Sequence, residues 1–205
     1  MNTLSLSGGA GTATATFTGT IQGTPTSNSI LICYVRDANN SSVVTVNNNG
    51  EYTYASGTFT SQDGTLAGAA KCNLYYGTTT YGTGENISCT FSVNTSMLKF
   101  TVSAPDGVSV GSSATLTYMR NGTALAAASF NVGEDGENTI YMTVPAGQYT
   151  GAQRLRYTVN DSYVSYPLSA TKATFTAGQT YSKNISFSSP LCPPPRAFGI
   201  RRAGN

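Results

Sequence analysis

Apolar and polar side chains alternate along most of this chain, and a period of two residues is the pattern of a β-strand with one buried face. Gly, Asn or Pro bounds each alternating segment. No segment with a helical period competes with them, and the alanine-rich stretch Ala124–Ala128 is too short for a helix in water, so it is predicted to start a strand. The predicted strands are Ala13–Ile21, Ile30–Val35, Glu51–Phe59, Lys71–Tyr76, Ile87–Val93, Leu98–Ser103, Ala114–Tyr118, Ala127–Val132, Asn138–Val144, Leu155–Val159, Ser162–Pro167, Ala173–Thr176 and Thr180–Phe187.

Turn signals separate these segments. Gly follows Asn49, Asp63, Asp106, Asn121 and Asp135, and such pairs favour the tight turns of β-hairpins. Hairpins join antiparallel strands, and no helical crossover that would join parallel strands is visible. The sequence therefore predicts an all-β protein, an antiparallel β-sandwich. Alternation places the following side chains in its interior: Phe100, Ile140, Val144, Leu155, Phe175 and Phe187.

The two ends of the chain differ from this pattern. Residues 1–12 are predicted to be a flexible segment, and the sandwich is predicted to cover residues 13–188. Residues 189–205 contain Pro190 and three consecutive prolines before a basic end, so they are predicted to be a disordered tail. Ala13–Ile21 follows a glycine-rich stretch, which favours either an exchangeable strand that pairs with another subunit or an ordinary first strand.

Composition excludes some partners and favours a location. The formal net charge is only +2 with 39% hydrophobic residues, which is typical of a folded chain without the basic patch of a nucleic-acid-binding protein. No apolar run approaches the roughly 20 residues of a membrane-spanning helix. The start has no readable signal peptide. A charge-poor sandwich rich in Ser, Thr and Asn is nevertheless typical of cell surfaces, so we expect an extracytoplasmic protein.

Candidate catalytic chemistry is sparse. The chain has no His, which removes Ser–His and Cys–His nucleophiles. Its acids, including Asp37, Asp63, Asp106 and Asp161, stand in turn contexts, although a carboxylate pair of a glycosidase remains an alternative. The acidic run Glu134–Glu137 is better explained as a hairpin tip than as a calcium loop. No catalytic, cofactor-binding or metal-binding residue is predicted, and no cofactor.

Cysteine and tyrosine positions leave two further alternatives. The four cysteines, at 33, 72, 89 and 192, have no C-x-x-C spacing, so a zinc site is not predicted. Cys72 and Cys89 could form a disulfide if their strands align, but buried free thiols are the favoured interpretation. Tyr75, Tyr76 and Tyr81 could stack on sugars in a carbohydrate-binding module, although tyrosines on strands more often cover sheets.

Three motifs occur in a set order in the second half of the chain. Met97–Val108 is followed by Ala114–Leu116, then Asn138–Gly147 ends in a Val-Pro-Ala-Gly corner, and Lys172–Tyr181 has an Ala-Gly turn before the last strand. In this order and spacing they resemble the fimbrillin family of Bacteroidales surface proteins. The resemblance is clearest over residues 95–188 and weaker over residues 13–94.

The resemblance implies a transthyretin-like β-sandwich that acts as a pilus subunit or surface adhesin at the cell surface or outer membrane. It also implies association by strand insertion, in which another subunit supplies a missing strand. The expected function is therefore non-enzymatic adhesion or fimbrial structure. The expected partners are other pilus or surface subunits, or a host protein or glycan, without nucleic acid or a transmembrane segment.

Overall fold

The computed structural model of the protein describes residues 5–8, 16–18, 29–35, 44–46, 52–80, 89–168 and 171–193. Within these ranges the chain forms sixteen strands and one short helix. In chain order they are β1 (Ser5–Gly8), β2 (Thr16–Thr18), β3 (Ser29–Val35), β4 (Val44–Val46), β5 (Tyr52–Tyr54), α1 (Leu66–Lys71), β6 (Leu74–Thr80), β7 (Ser92–Val93), β8 (Thr95–Ser103), β9 (Ser113–Arg120), β10 (Thr123–Asn131), β11 (Glu137–Pro145), β12 (Gly147–Thr150), β13 (Gln153–Val159), β14 (Ser162–Leu168), β15 (Lys172–Phe175) and β16 (Thr180–Ser186).

Two main sheets form the sandwich, and both come from residues 95–186. The first has the strand order β10-β9-β13-β14, and the second has the order β11-β8-β16. Smaller sheets pair β1 with β2, β4 with β5, and β12 with β15, and a further sheet has the order β3-β6-β7. The all-β sandwich predicted from alternation is confirmed.

The interior lies between the two main sheets. Along β8 and β13, buried residues alternate with more exposed ones, as expected for strands with one face on a core. Aromatic rings meet edge to face across it, with 5.3 Å between the ring centroids of Tyr157 and Phe187. All six side chains predicted to be interior are buried: Phe100, Ile140, Val144, Leu155, Phe175 and Phe187.

The turns follow the predicted chemistry where the structure describes them. Gly136, between β10 and β11, and Gly178, before β16, have positive φ angles of 73° and 77°, a region that glycine enters without a steric penalty. Pro145 ends β11 and Gly147 begins β12, so the Val-Pro-Ala-Gly segment does form a corner. The Asn49-Gly50 pair lies outside the described residues.

Helix α1 corrects the prediction that no helix is present. It has six residues, too few for a readable period, and Thr65 caps it by accepting a hydrogen bond from the Gly68 amide at 2.9 Å. Ala69 and Ala70 are buried. Because so short a helix is unstable alone, its packing against the sandwich explains why it forms.

Three predicted strands have the wrong extent. Glu51–Phe59 was predicted as one strand, but β5 ends at Tyr54 and turns follow it. Lys71 belongs to α1, so the strand predicted at Lys71–Tyr76 begins only at Leu74. Of the predicted Ile87–Val93, only β7 is a strand among the described residues. In the predicted Glu51–Phe59, the alternating pattern continues past the end of β5 because Phe59 is itself buried in the core.

One strand pair corrects the expectation of purely antiparallel sheets. β16 runs parallel to β8, with Thr180 opposite Met97 and Ser186 opposite Ser103. A parallel pair needs a long connection, and here the intervening strands of the same domain supply it. The absence of a helical crossover in the sequence therefore does not exclude a parallel pair.

Both chain ends contain structure that the sequence did not predict. Ser5–Gly8 forms β1 and pairs with β2, where residues 1–12 were predicted to be flexible. At the other end, the prediction of a disordered tail is wrong for its first residues, because Cys192 pairs with Tyr163 and Leu191 packs on the core. The predicted Ala13–Ile21 is described only at Thr16–Thr18, and residues 194–205 lie outside the described part.

Ending the chain after Ser188 is expected to lower the free energy of unfolding by about 1–2 kcal/mol, because two backbone hydrogen bonds and the Leu191 contact are lost. Urea denaturation measures this loss. Ending the chain after Pro193 keeps the Cys192 bridge and is the matched control. Equal stability of the two truncated proteins would contradict a docked segment at 189–193.

Candidate functional site

The acidic residues considered as catalytic candidates lie in turns or loops where the structure describes them. Asp135 lies at the β10–β11 turn, and its Oδ1 accepts a hydrogen bond from the Glu137 amide at 2.9 Å. Asp63 Oδ1 accepts from the Thr65 amide and hydroxyl just before α1. Among the described residues, no three His, Cys, Asp or Glu side chains gather where they could hold a metal ion. Asp37 lies outside the described residues.

The tyrosines considered for sugar stacking do not form one platform. Tyr75 and Tyr76 are consecutive on β6, so their side chains point to opposite faces of that strand. Tyr81 lies outside the described residues. The structure therefore does not bring the pair together on one surface.

The cysteines with described side chains are free thiols. Cys72 is buried, and its thiol donates to the Thr58 carbonyl at 3.5 Å, whereas Cys89 is half-buried and Cys192 exposed. The possible disulfide between Cys72 and Cys89 is not formed. Burial, with the nearby Asp63 charge, raises the pKa of the Cys72 thiol to about 11. Strand β3 contains Cys33.

The rates of alkylation are expected to differ between the buried and the exposed thiols. At pH 8 a thiol of pKa about 11 is only about one part in a thousand thiolate, and Cys72 is also covered by protein. We expect iodoacetamide to modify Cys192 at least about 100-fold faster than Cys72, measured by peptide mass mapping in the native protein. Similar rates for the two would contradict the buried position of Cys72.

The edges of the two main sheets are candidate positions for binding another chain by strand pairing. Border strands carry backbone N–H and C=O groups without a neighbour, and these groups can pair with an added strand. The borders are β10 and β14 in the first sheet and β11 and β16 in the second. Whether each of these border strands is already paired decides where another chain could be added as a strand.

Residues 59–71, here called the closing segment, cover β10 and β11. The Ala127 amide on β10 donates to the Phe59 carbonyl at 2.8 Å, and the Tyr141 amide on β11 donates to the Gly64 carbonyl at 2.8 Å. The side-chain amide of Gln62 pairs with β11 as the backbone of a neighbouring strand would. Its Oε1 accepts from the Thr143 amide at 2.7 Å, and its Nε2 donates to the Thr143 carbonyl at 3.0 Å. One side of the sandwich is thus closed by its own chain.

The edge of β14 is closed in another way. Cys192 exchanges both backbone hydrogen bonds with Tyr163 at 2.8 and 2.9 Å, so the outward positions on β14 are Tyr163, Ser165 and Pro167. Pro167 has no N–H to offer. Pro190, which an antiparallel continuation would place opposite Ser165, has none either. Among the described residues the tail forms this one bridge, and neither proline can donate to a longer ladder.

The edge of β16 remains open. The Met97 amide donates to the Gln179 carbonyl at 2.9 Å, and Thr180 lies opposite Met97. This parallel ladder turns the backbone groups of odd-numbered residues toward β8 and those of even-numbered residues away from it. Within the described chain β16 pairs with β8 alone. The outward residues are all exposed: Thr180, Ser182, Asn184 and Ser186.

A cavity of about 220 Å³ lies beside this edge, between the main sheets. Its inner polar groups already satisfy one another, because the Tyr118 hydroxyl donates to Gln153 Oε1 and Gln153 Nε2 donates to the Tyr149 carbonyl. Burial raises the pKa of Tyr118 to about 12, so this hydroxyl stays protonated. The lining residues with apolar side chains are Leu98, Phe100, Leu168, Ala173 and Phe175, with Tyr181 beside them.

Lys183 is the charged group at this site. It shares the core-facing side of β16 with Tyr181 and Ile185, yet it is exposed where it borders the cavity. In the described part of the chain it has no ion-pair partner. An inward-facing lysine on an edge strand discourages indiscriminate pairing. The alternation of Tyr181, Lys183 and Ile185 places these residues on one face of the strand, but it gives no signal for the cavity beside Lys183.

Comparison with known proteins gives distant similarities to solved structures. No protein-family model matches the sequence, and the comparison with curated proteins gives no match. Three solved structures are similar, each a candidate cell adhesion protein, from Bacteroides ovatus, Bacteroides fragilis and Bacteroides uniformis, with 13%, 12% and 15% identity and TM-scores of 0.39, 0.40 and 0.40. The matches cover 84%, 91% and 85% of this chain, but 59%, 73% and 75% of theirs. At these values they assign neither family nor function.

The described residues contain no helix long and apolar enough to cross a membrane. Fold and site together define a class of molecule: an all-β sandwich in which three borders of the two main sheets pair with other parts of the chain, whereas β16 pairs only with β8 among the described residues.

Proposed function

We propose that the protein is a non-enzymatic cell-surface adhesion or fimbrial protein that associates by adding a strand from a partner to β16. The observation that carries the proposal is the row of outward backbone groups at Ser182 and Asn184 beside an apolar cavity. An added strand pairs its backbone with these groups and directs every second side chain into the cavity. The partner is another surface subunit, and the location is extracytoplasmic.

The closed edges support this proposal. The closing segment and Cys192 already pair with β10, β11 and β14, so a partner strand finds open backbone groups at β16. Burial of apolar side chains of the partner strand against the apolar walls of the cavity favours strand insertion. A carbohydrate-binding function has less support, because Tyr75 and Tyr76 face opposite sides of β6.

Selection from a phage-displayed library of random nine-residue peptides tests this function. We expect enriched peptides with apolar residues at every second position, because these side chains fill the cavity. Ser182→Pro removes an outward N–H that β8 does not use, and prolines are tolerated at such edge positions. The enriched peptides should bind the Ser182→Ala control but not Ser182→Pro.

Both variants are first compared with the natural chain by circular dichroism and thermal melting, so that misfolding is recognised. Absence of enrichment on the natural chain would contradict strand addition. Equal binding of the enriched peptides to Ser182→Pro and Ser182→Ala would show that they bind elsewhere.

A further inference from the structure

We infer that Lys183 makes the β16 edge selective for strands that carry a carboxylate on the side facing the cavity. This inference rests on the proposed function, because it concerns which strand β16 accepts. Lys183 lies between Tyr181 and Ile185 on the core-facing side of β16, and it borders the cavity. Its ammonium is therefore placed where an added strand would cover it.

The free-energy cost of burying the Lys183 ammonium under an added strand is the basis of the selectivity. A buried charge is unfavourable unless it gains a partner of opposite charge and hydrogen bonds. In the described chain, Lys183 has no ion-pair partner that could take this role. An uncharged strand would leave the ammonium buried and alone, and a basic strand would add repulsion, whereas an acidic side chain would pair with it.

The chemistry of the walls completes the description of the partner. Leu98, Phe100 and Phe175 present apolar surface to the cavity, so the strand places apolar side chains on the same side as its carboxylate. Ala13–Ile21 of this chain has apolar residues at alternate positions, including Phe17 and Ile21, but no acidic residue. The inference therefore points to a different subunit as the donor rather than a second copy of this segment.

Synthetic peptides based on Ala13–Ile21 test the inference. In that segment Ala15 and Gly19 share a face with Phe17, whereas Thr18 lies on the other face. The acidic peptides are Ala15→Glu and Gly19→Glu, the matched control with the same charge on the opposite face is Thr18→Glu, and Gly19→Lys tests repulsion. Binding to the full chain is measured by fluorescence anisotropy of labelled peptides.

We expect at least one of the inward acidic peptides to bind about tenfold more tightly than the Thr18→Glu peptide. Lys183→Met should remove this advantage and should bind the unmodified peptide better than the natural chain does. Lys183→Glu should favour the Gly19→Lys peptide. Lys183 is exposed, so both variants should keep the native circular dichroism spectrum.

Two outcomes overturn the inference, and they differ in what they say about strand addition. If all peptides bind the natural chain equally and lose binding in Ser182→Pro, strand addition stands and selection by Lys183 is wrong. If no peptide binds the natural chain or Lys183→Met, the proposed function fails together with the inference.

Discussion

Replacing Leu155 by Ala is expected to lower the free energy of unfolding by about 3 kcal/mol. Leu155 on β13 has no exposed surface and belongs to the core between the two main sheets. Its truncation removes buried apolar surface and leaves a cavity that the neighbouring strands fill only in part. Guanidinium denaturation followed by circular dichroism measures the loss as a shift of the midpoint.

Leu66→Ala is the matched control. Leu66 begins α1 and is 53% exposed, and surface substitutions usually change stability by less than about 0.5 kcal/mol. Similar losses for the two variants would contradict the assignment of the interior to the space between the main sheets.

Gln62→Ala is expected to cost about 3 kcal/mol, although the residue lies in a loop. Its amide group satisfies both backbone groups of the buried Thr143, and its Nε2 also donates to the Phe59 carbonyl at 2.8 Å. Removing it leaves these buried groups unpaired, and each unsatisfied group costs about 1–3 kcal/mol. Urea denaturation of the variant measures the loss.

Gln148→Ala serves as the control for this change, because Gln148 is an exposed residue of β12. Its loss of stability should stay within about 0.5 kcal/mol. A Gln62→Ala protein as stable as the Gln148→Ala protein would show that the closing segment does not hold the edge of β11.

Much of the sandwich follows from the sequence, because alternation reports directly on burial. β11 was predicted to within one residue at each end and β8 except for its first three residues, and Phe100 and Ile140 were placed correctly in the interior. These segments have one buried and one exposed face, so their period is clear. The same reasoning assigned Ala124–Ala128 to the start of a strand, and these residues lie in β10.

The closing segment could not be predicted in the same way. Its helix is too short for a period, and Gln62 looks like an ordinary polar loop residue until Thr143, far along the chain, is found beside it. Cys192 is similar, because the surrounding prolines argue against a strand and its single bridge to Tyr163 depends on tertiary structure. Contacts between residues distant in sequence leave little local signal.

The open edge also required the structure. Alternation identifies the two faces of β16, but only the register with β8 tells which backbone groups of Ser182 and Asn184 point outward. The family resemblance implied strand insertion without assigning an edge. The structure shows that β16 pairs only with β8 among the described residues, and that a cavity and Lys183 lie beside this border.

Residue-resolved amide hydrogen exchange of β16 tests the central claim most directly. In the isolated protein, the amides of Tyr181 and Lys183 should exchange slowly because they pair with β8, while those of Ser182 and Asn184 should exchange quickly. Binding of a library-selected peptide should slow exchange at Ser182 and Asn184. Slow exchange at these two amides in the isolated protein, or no change when the peptide binds, would contradict an open edge that accepts a strand.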